Sequence, residues 1–196
     1  GDPIVSFKLF FKPETINQAN ASRRGLLDVP TEEQNPTLVL KGTNKKWREL
    51  IEIKDTQVVP WESDPNVARI TVQFRVTPEC PYEPNKNRVL TKTYWLTVPA
   101  VTDPKHKDHK KAMMTVGKLN AMIRGAGLEI QVDENGQVPY HIYFNADPQS
   151  ESGLDMGDKP LIGKQVWGVI RDYTYESETK GVVNDQDVDN FIPLDV

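Results

Sequence analysis

A mainly β fold with one substantial helix is predicted by three observations. Residues 67–98 hold two runs of strand character joined by a polar loop. Ala112, Val116, Leu119 and Ile123 fall at i, i+4, i+7 and i+11, an apolar stripe of helical period. Prolines number 15 among 196 residues and are spread along the chain, which favours loops over long helices.

In chain order, Phe7, Leu9, Phe10 and Phe11 suit a short strand, and a helical stretch starts at Pro13 and reaches about Ser22. Residues 23–36 read as a loop punctuated by Gly25, Pro30 and Pro36, before a strand at 37–40 and a turn at 41–44. The first long strand is 47–59, where Ile51, Ile53, Asp55 and Val59 alternate imperfectly and so predict a bulge or bend. Residues 60–66 form a turn with Trp61 near its start. In 69–76, Ile70, Val72, Phe74 and Val76 alternate with Arg69, Thr71, Gln73 and Arg75, the period of a half-buried strand. Residues 88–98 are β-branched and aromatic. Leu90, Tyr94, Leu96 and Val98 face inward there, with Val89, Thr91, Thr93 and Trp95 outward.

A polar crossing at 102–111 leads into a helix over about 108–124, which Gly125 and Gly127 end. Residues 128–132 and 138–144 flank Asn135-Gly136, a hairpin signal. After a loop at 145–159, residues 161–175 form a strand. Val166 and Ile170 share one face of it; Trp167, Val169, Arg171 and Tyr173 share the other. A turn at 176–181 and a closing strand at 182–194 follow.

Strand, strand, strand, helix, strand, strand is the order of the OB-fold. The predicted fold is therefore an OB-fold-like five-stranded Greek-key barrel with one helix between strands 3 and 4, spanning 41–196. An N-terminal extension covers 1–40 and packs on or extends the barrel, and a small extra hairpin surrounds Asn135-Gly136. Such barrels bind oligonucleotides on strands 2 and 3 and on the loops joining strands 1–2 and 4–5. Here those are 69–76, 88–98, 60–66 and 176–181.

Net charge is −4, but its distribution is uneven. Residues 41–124 carry 16 Lys/Arg against 9 Asp/Glu, and residues 125–196 carry 4 against 14. A basic middle with an acidic end fits a nucleic-acid face with an acidic rim, or two solvated surfaces. No apolar run is long enough to span a bilayer. The start lacks a basic segment followed by an apolar one, so no signal peptide is expected. Cys80 is the single cysteine, which excludes an intramolecular disulfide and fits a reducing, cytoplasmic compartment.

Three stretches carry a resemblance. They are ARITVQFRV with the following strand ending in YWLTVP, the helical KLNAMIRGAGL, and LIGKQVWGVIRDYTY with a polar turn and VDNFIPLD. Over roughly 47–195 the chain resembles phage-encoded single-stranded-DNA-binding proteins. The resemblance implies an OB-fold, sequence-tolerant binding and work in replication or recombination inside an infected host cell. Many such proteins recruit partner enzymes through an acidic tail with a terminal aromatic. Here Asp185, Asp187, Asp189 and Phe191 are spaced out, and Leu194-Asp195-Val196 follow.

Single-strand binding needs cations along phosphates and flat rings under bases. The candidate rings are Trp47, Trp61, Trp95, Trp167 and Tyr173. The candidate cations are Arg69, Arg75, Lys86, Arg88, Lys92, Arg171 and Lys180. A strand tryptophan is more often core than platform, and a one-residue register slip would exchange Trp95 with Tyr94. The expected partner is single-stranded DNA, with replication or recombination enzymes and a homo-oligomer as further possibilities and no membrane. A virion β-barrel component, of a tail or decoration, and a carbohydrate-binding module remain open alternatives.

His106, His109, His141 and Cys80 lack the spacing of a zinc set. Asp185, Asp187 and Asp189 lack the central glycine and terminal glutamate of a calcium loop, and read as a solvated acidic stretch. No nucleophile elbow, P-loop, His-Glu-x-x-His or dinucleotide fingerprint occurs. A non-enzymatic protein without cofactor or metal is expected.

Overall fold

The computed structural model describes residues 9–21, 46–61, 63–80, 83–144 and 153–195. Its elements are β1 (Phe10–Phe11), α1 (Pro13–Ala21), β2 (Lys46–Trp61), β3 (Asp64–Val76), β4 (Val89–Thr97), α2 (Val98–Thr102), α3 (His109–Gly125), β5 (Val138–Pro139), α4 (Tyr140–Tyr143), β6 (Gln165–Ser177) and β7 (Gly181–Ile192).

The alternating strands assemble into one antiparallel sheet of order β4-β3-β2-β6-β7. β2 is the shared strand. Its first half pairs with β6, from Lys46↔Arg171 to Glu52↔Gln165, and from Ile51 onward it pairs with β3. A register shift between Ile53 and Asp55 lies where the imperfect alternation placed a bulge. Beyond it Asp55, Gln57 and Val59 continue the outer face begun by Arg48, Leu50 and Glu52.

Ile51, Ile53, Ile70, Val72, Phe74, Leu96, Val166, Val188 and Phe191 fill the inner face. α3 covers it with the predicted stripe of Ala112, Val116, Leu119 and Ile123, all buried. The close fit of helix to sheet depends on Gly125, where a Cβ would lie 2.7 Å from Val166 Cγ2 and 3.1 Å from Phe191 Cβ. α1 packs on α3, and Asn120 Nδ2 donates to the Ile16 carbonyl at 3.3 Å. Among the described residues, the N-terminal segment thus joins the helix layer. The loop, strand and turn expected over 23–44 lie outside the described residues.

Four expectations are corrected. The barrel is open: β4 and β7 are the sheet edges, and no strand pairing joins them among the described residues. Side chains bridge the seam instead. Lys92 Nζ donates to the Gln186 carbonyl, and Phe74 and Phe191 meet inside at 5.6 Å between ring centroids.

The small extra hairpin is absent as well. Val138–Pro139 pairs with Phe10–Phe11, and Tyr140–Tyr143 turns helical. Pro139 cannot donate to a ladder, and Tyr140, Tyr143 and Phe144 bury their rings at helical rather than strand spacing. Residues 128–132 form no strand. The Tyr143 hydroxyl accepts from Gln131 N and donates to the Glu129 carbonyl, both at 2.7 Å. Asn135-Gly136 turns locally on Asp133 Oδ1, which accepts from Asn135 N and Gln137 N.

The turn after the first long strand is also shorter than expected. Strand runs to Trp61 and resumes at Asp64. At the end of the second hairpin strand, Val98 starts α2, with Pro99 in its first turn.

Candidate nucleic-acid interface

The directly opposed residues of β2, β3 and β4 set four outward rows across the sheet. They are Val59–Arg69–Trp95, Gln57–Thr71–Thr93, Asp55–Gln73–Thr91 and Glu52–Arg75–Val89. Opposed residues share a face, so the outer surface of the hairpin is a polar strip of hydroxyls and amides with an aromatic–cationic end. Arg69 and Arg75, six positions apart, bound a strip about 20 Å long.

At that end Trp61 and Trp95 are 45% and 46% exposed, large apolar rings left in water. They meet edge to face, with centroids 5.0 Å apart and planes 64° apart. The Arg69 guanidinium lies 5.9 Å from the Trp95 centroid, within cation–π range. Beside them is a hollow of about 330 Å³ lined by Val59, Pro60, Trp61, Ser63 and Arg69. The pattern that turns Tyr94 and Leu96 inward sends Trp95 out, as predicted.

The other candidates are differently placed. Arg75 pairs with Glu52 at 3.1 Å, and Lys86 with Glu83 at 2.7 Å. The hydrogen bond to Glu83 holds the Lys86 ammonium above its ordinary pKa. Arg88 and Lys180 are exposed and form no ion pair with the described residues. Trp167 is half-buried, with Arg48 4.8 Å from its centroid. Burial lowers the pKa of Arg48. Trp47 lies on β2, and its side chain is outside the described ones.

Lys92 on β4 and Arg171 and Tyr173 on β6 meet the acids of β7. The expected solvated stretch is instead a ladder of paired carboxylates. Lys92 meets Asp185 at 3.5 Å, Lys118 meets Asp187 at 2.5 Å and Asp189 at 3.8 Å, and Arg171 meets Asp189 at 2.8 Å. Asp189 holds Arg171 firmly protonated. Burial pushes the Asp185 carboxyl up, but the amide of Gln186 and the charge of Lys92 outweigh it, and its pKa is lowered.

Tyr173 donates to Asp185 Oδ2 at 3.1 Å, and burial and the nearby Asp185 charge raise its phenol to about 12. A raised pKa means that this contact contributes stability below the ordinary phenol value of about 10 and loses it as pH rises through the folded value. An ultraviolet titration is expected to lose an ionisation near pH 12 in Tyr173→Phe relative to the parent.

Sequence reasoning missed two features. Tyr175 is exposed and stacks on Tyr173, with centroids 6.0 Å apart and planes at 27°. Their two-residue spacing on one strand was the signal. The acidic ladder was also readable, because a turn at 178–180 sets Arg171 opposite Asp187 and Tyr173 opposite Asp185.

Cys80 is buried and donates from Sγ to Glu49 Oε2 at 2.8 Å, while Asn85 Nδ2 donates to Glu49 Oε1 at 2.7 Å. These contacts tie the 77–87 loop to β2. Among the described residues no group of three or more His, Cys, Asp or Glu is placed to hold a metal ion, and no helix is long and apolar enough to cross a membrane. No protein-family model and no curated protein sequence matches the chain.

Proposed function

We propose that this chain binds single-stranded DNA without sequence preference, in phage replication or recombination, on the outer face of β3 and β4. The observation that carries the reading is the exposed Trp61–Trp95 pair with Arg69 beside it, at the end of a strip of hydroxyls and amides. Stacking on a ring tolerates any base, and an adjacent guanidinium meets the phosphate.

The connectivity supports the same reading. β2 to β4 form a meander, α3 intervenes, and β6 returns to the far side of β2. This order is similar to that of an OB-fold whose third and fifth strands are joined by side chains instead of a ladder. In that arrangement the β2–β3 turn, with Trp61, and the β6–β7 turn, with Lys180, flank the binding face. The bound strand would then lie where such barrels hold oligonucleotides.

Titration of a labelled oligo-dT at low salt, repeated at rising salt, tests the proposal. Submicromolar binding is expected, with log affinity falling by about 0.7 per phosphate contact for each decade of salt. Failure to bind at low salt, or equal affinity for duplex DNA, contradicts it.

A further inference from the structure

The Trp61–Trp95 contact joins two hollows, for Trp61 lines one and Trp95 the other. One is the Trp61–Arg69 hollow. The other is a groove of about 380 Å³ between β4 and α3, lined by Thr93, Trp95, Thr97, Lys111 and Lys118 among others. We propose that the bound strand turns at the Trp61–Trp95 pair and runs into this groove, where Lys111 and the hydroxyls of Thr93 and Thr97 receive its phosphodiesters. The inference rests on the nucleic-acid reading above and adds the route of the strand.

Three observations support that route. First, two bases stacked one on each ring cannot be parallel when the ring planes differ by 64°, so the backbone between them must turn. A duplex resists such a turn because its neighbouring bases stack on each other. Second, the arginines on the way from β3 across β2 to β6 are already engaged. Arg171 is held by Asp189, Arg75 by Glu52, and Arg48 lies against Trp167.

Third, the segment that leads into α3 at the groove carries more lysines than acids. Lys105, Lys107, Lys110 and Lys111 lie in the segment that opens α3, whose first turn holds no acid. Lys111 is exposed and forms no ion pair with the described residues. Lys118, deeper in the groove, is held by Asp187. Asp108 at the rim is an opposing charge, and removing it should favour the strand.

The test measures anisotropy of a labelled oligo-dT with the full chain across a salt series, with thermal melting of each variant to check folding. Lys111→Gln is expected to weaken binding about 3- to 10-fold and to reduce the salt slope by about 0.7. Asp108→Asn is expected to tighten binding. Lys164→Gln, on the exposed loop before β6, is expected to match the parent. If Trp95→Ala weakens binding while Lys111→Gln keeps both affinity and slope, the groove route is overturned and the interface at the tryptophans stands. If the parent chain does not bind oligo-dT at low salt, the route and the functional reading fall together.

Discussion

Replacing Trp95 with alanine is expected to weaken binding to a single-stranded oligonucleotide by roughly 5- to 150-fold, the equivalent of about 1–3 kcal/mol for one stacked base. The fold should survive. Trp95 is 46% exposed on an edge strand, and its β4 neighbours Tyr94 and Leu96 carry the burial. Its ring has two roles: it offers a face to a base, and it lines the groove between β4 and α3. Loss of binding with unchanged melting would separate the surface role from a core role. Titration of oligo-dT against the variant, read by anisotropy, provides the comparison. Trp61→Ala should have a smaller or similar effect, and the pair together should cost less than the sum because the rings touch.

Phe191→Ala is expected to produce the largest loss of stability, about 3–5 kcal/mol, seen as a fall of roughly 6–20 °C in melting temperature. Phe191 is fully buried on edge strand β7. It meets Phe74 of β3 across the interior and lies against the end of α3 at Gly125. Because β4 and β7 are not joined by a ladder, contacts of this kind hold the curl of the sheet. Removing the ring leaves a cavity at the point where sheet, helix and seam converge. Differential scanning calorimetry measures the effect. A loss under about 1 kcal/mol, the range of conservative core swaps, would mean that the side-chain bridges at Lys92 and Lys118 hold the seam by themselves.

The parts of the fold that were legible follow from periodicity. Ile70, Val72, Phe74 and Val76 alternate cleanly, and Ala112, Val116, Leu119 and Ile123 repeat at helical spacing, so α3 could be placed within a residue or two and β3 at its C-terminal end, while β3 starts several residues earlier than the alternation showed. The bulge in β2 was legible because Asp55 breaks an apolar alternation.

The 128–144 region was not. Asn135-Gly136 gave the right local turn, but whether flanking residues pair depends on partners elsewhere. Val138–Pro139 found Phe10–Phe11, far away in sequence. Side-chain hydrogen bonding by Tyr143 then satisfied the other arm.

Closure of the barrel was illegible for a similar reason. It turns on whether Lys92 or a backbone amide reaches the Gln186 carbonyl, and composition does not fix this.

At the site, orientation could be read but pairing could not. Trp95 and Arg69 were placed outward from alternation alone, and the structure sets them in one row. Arg75 and Arg171 were equally outward by pattern, and Lys92 shares the inward parity of Leu90 and Tyr94. Each meets an acid in the fold: Glu52, Asp185 and Asp189. A cation is available to a phosphate only if the folded chain has not already neutralised it, and for residues distant in sequence this appears only in three dimensions.

Photocrosslinking of an iodouracil-substituted single strand to the full chain, mapped by mass spectrometry, tests the central claim most directly. Adducts are expected on Trp61 and Trp95, with further crosslinks in peptides covering Thr93 to Lys111. Adducts confined to β6, at Trp167 or Tyr173, or no adduct under conditions that saturate binding, would contradict that claim.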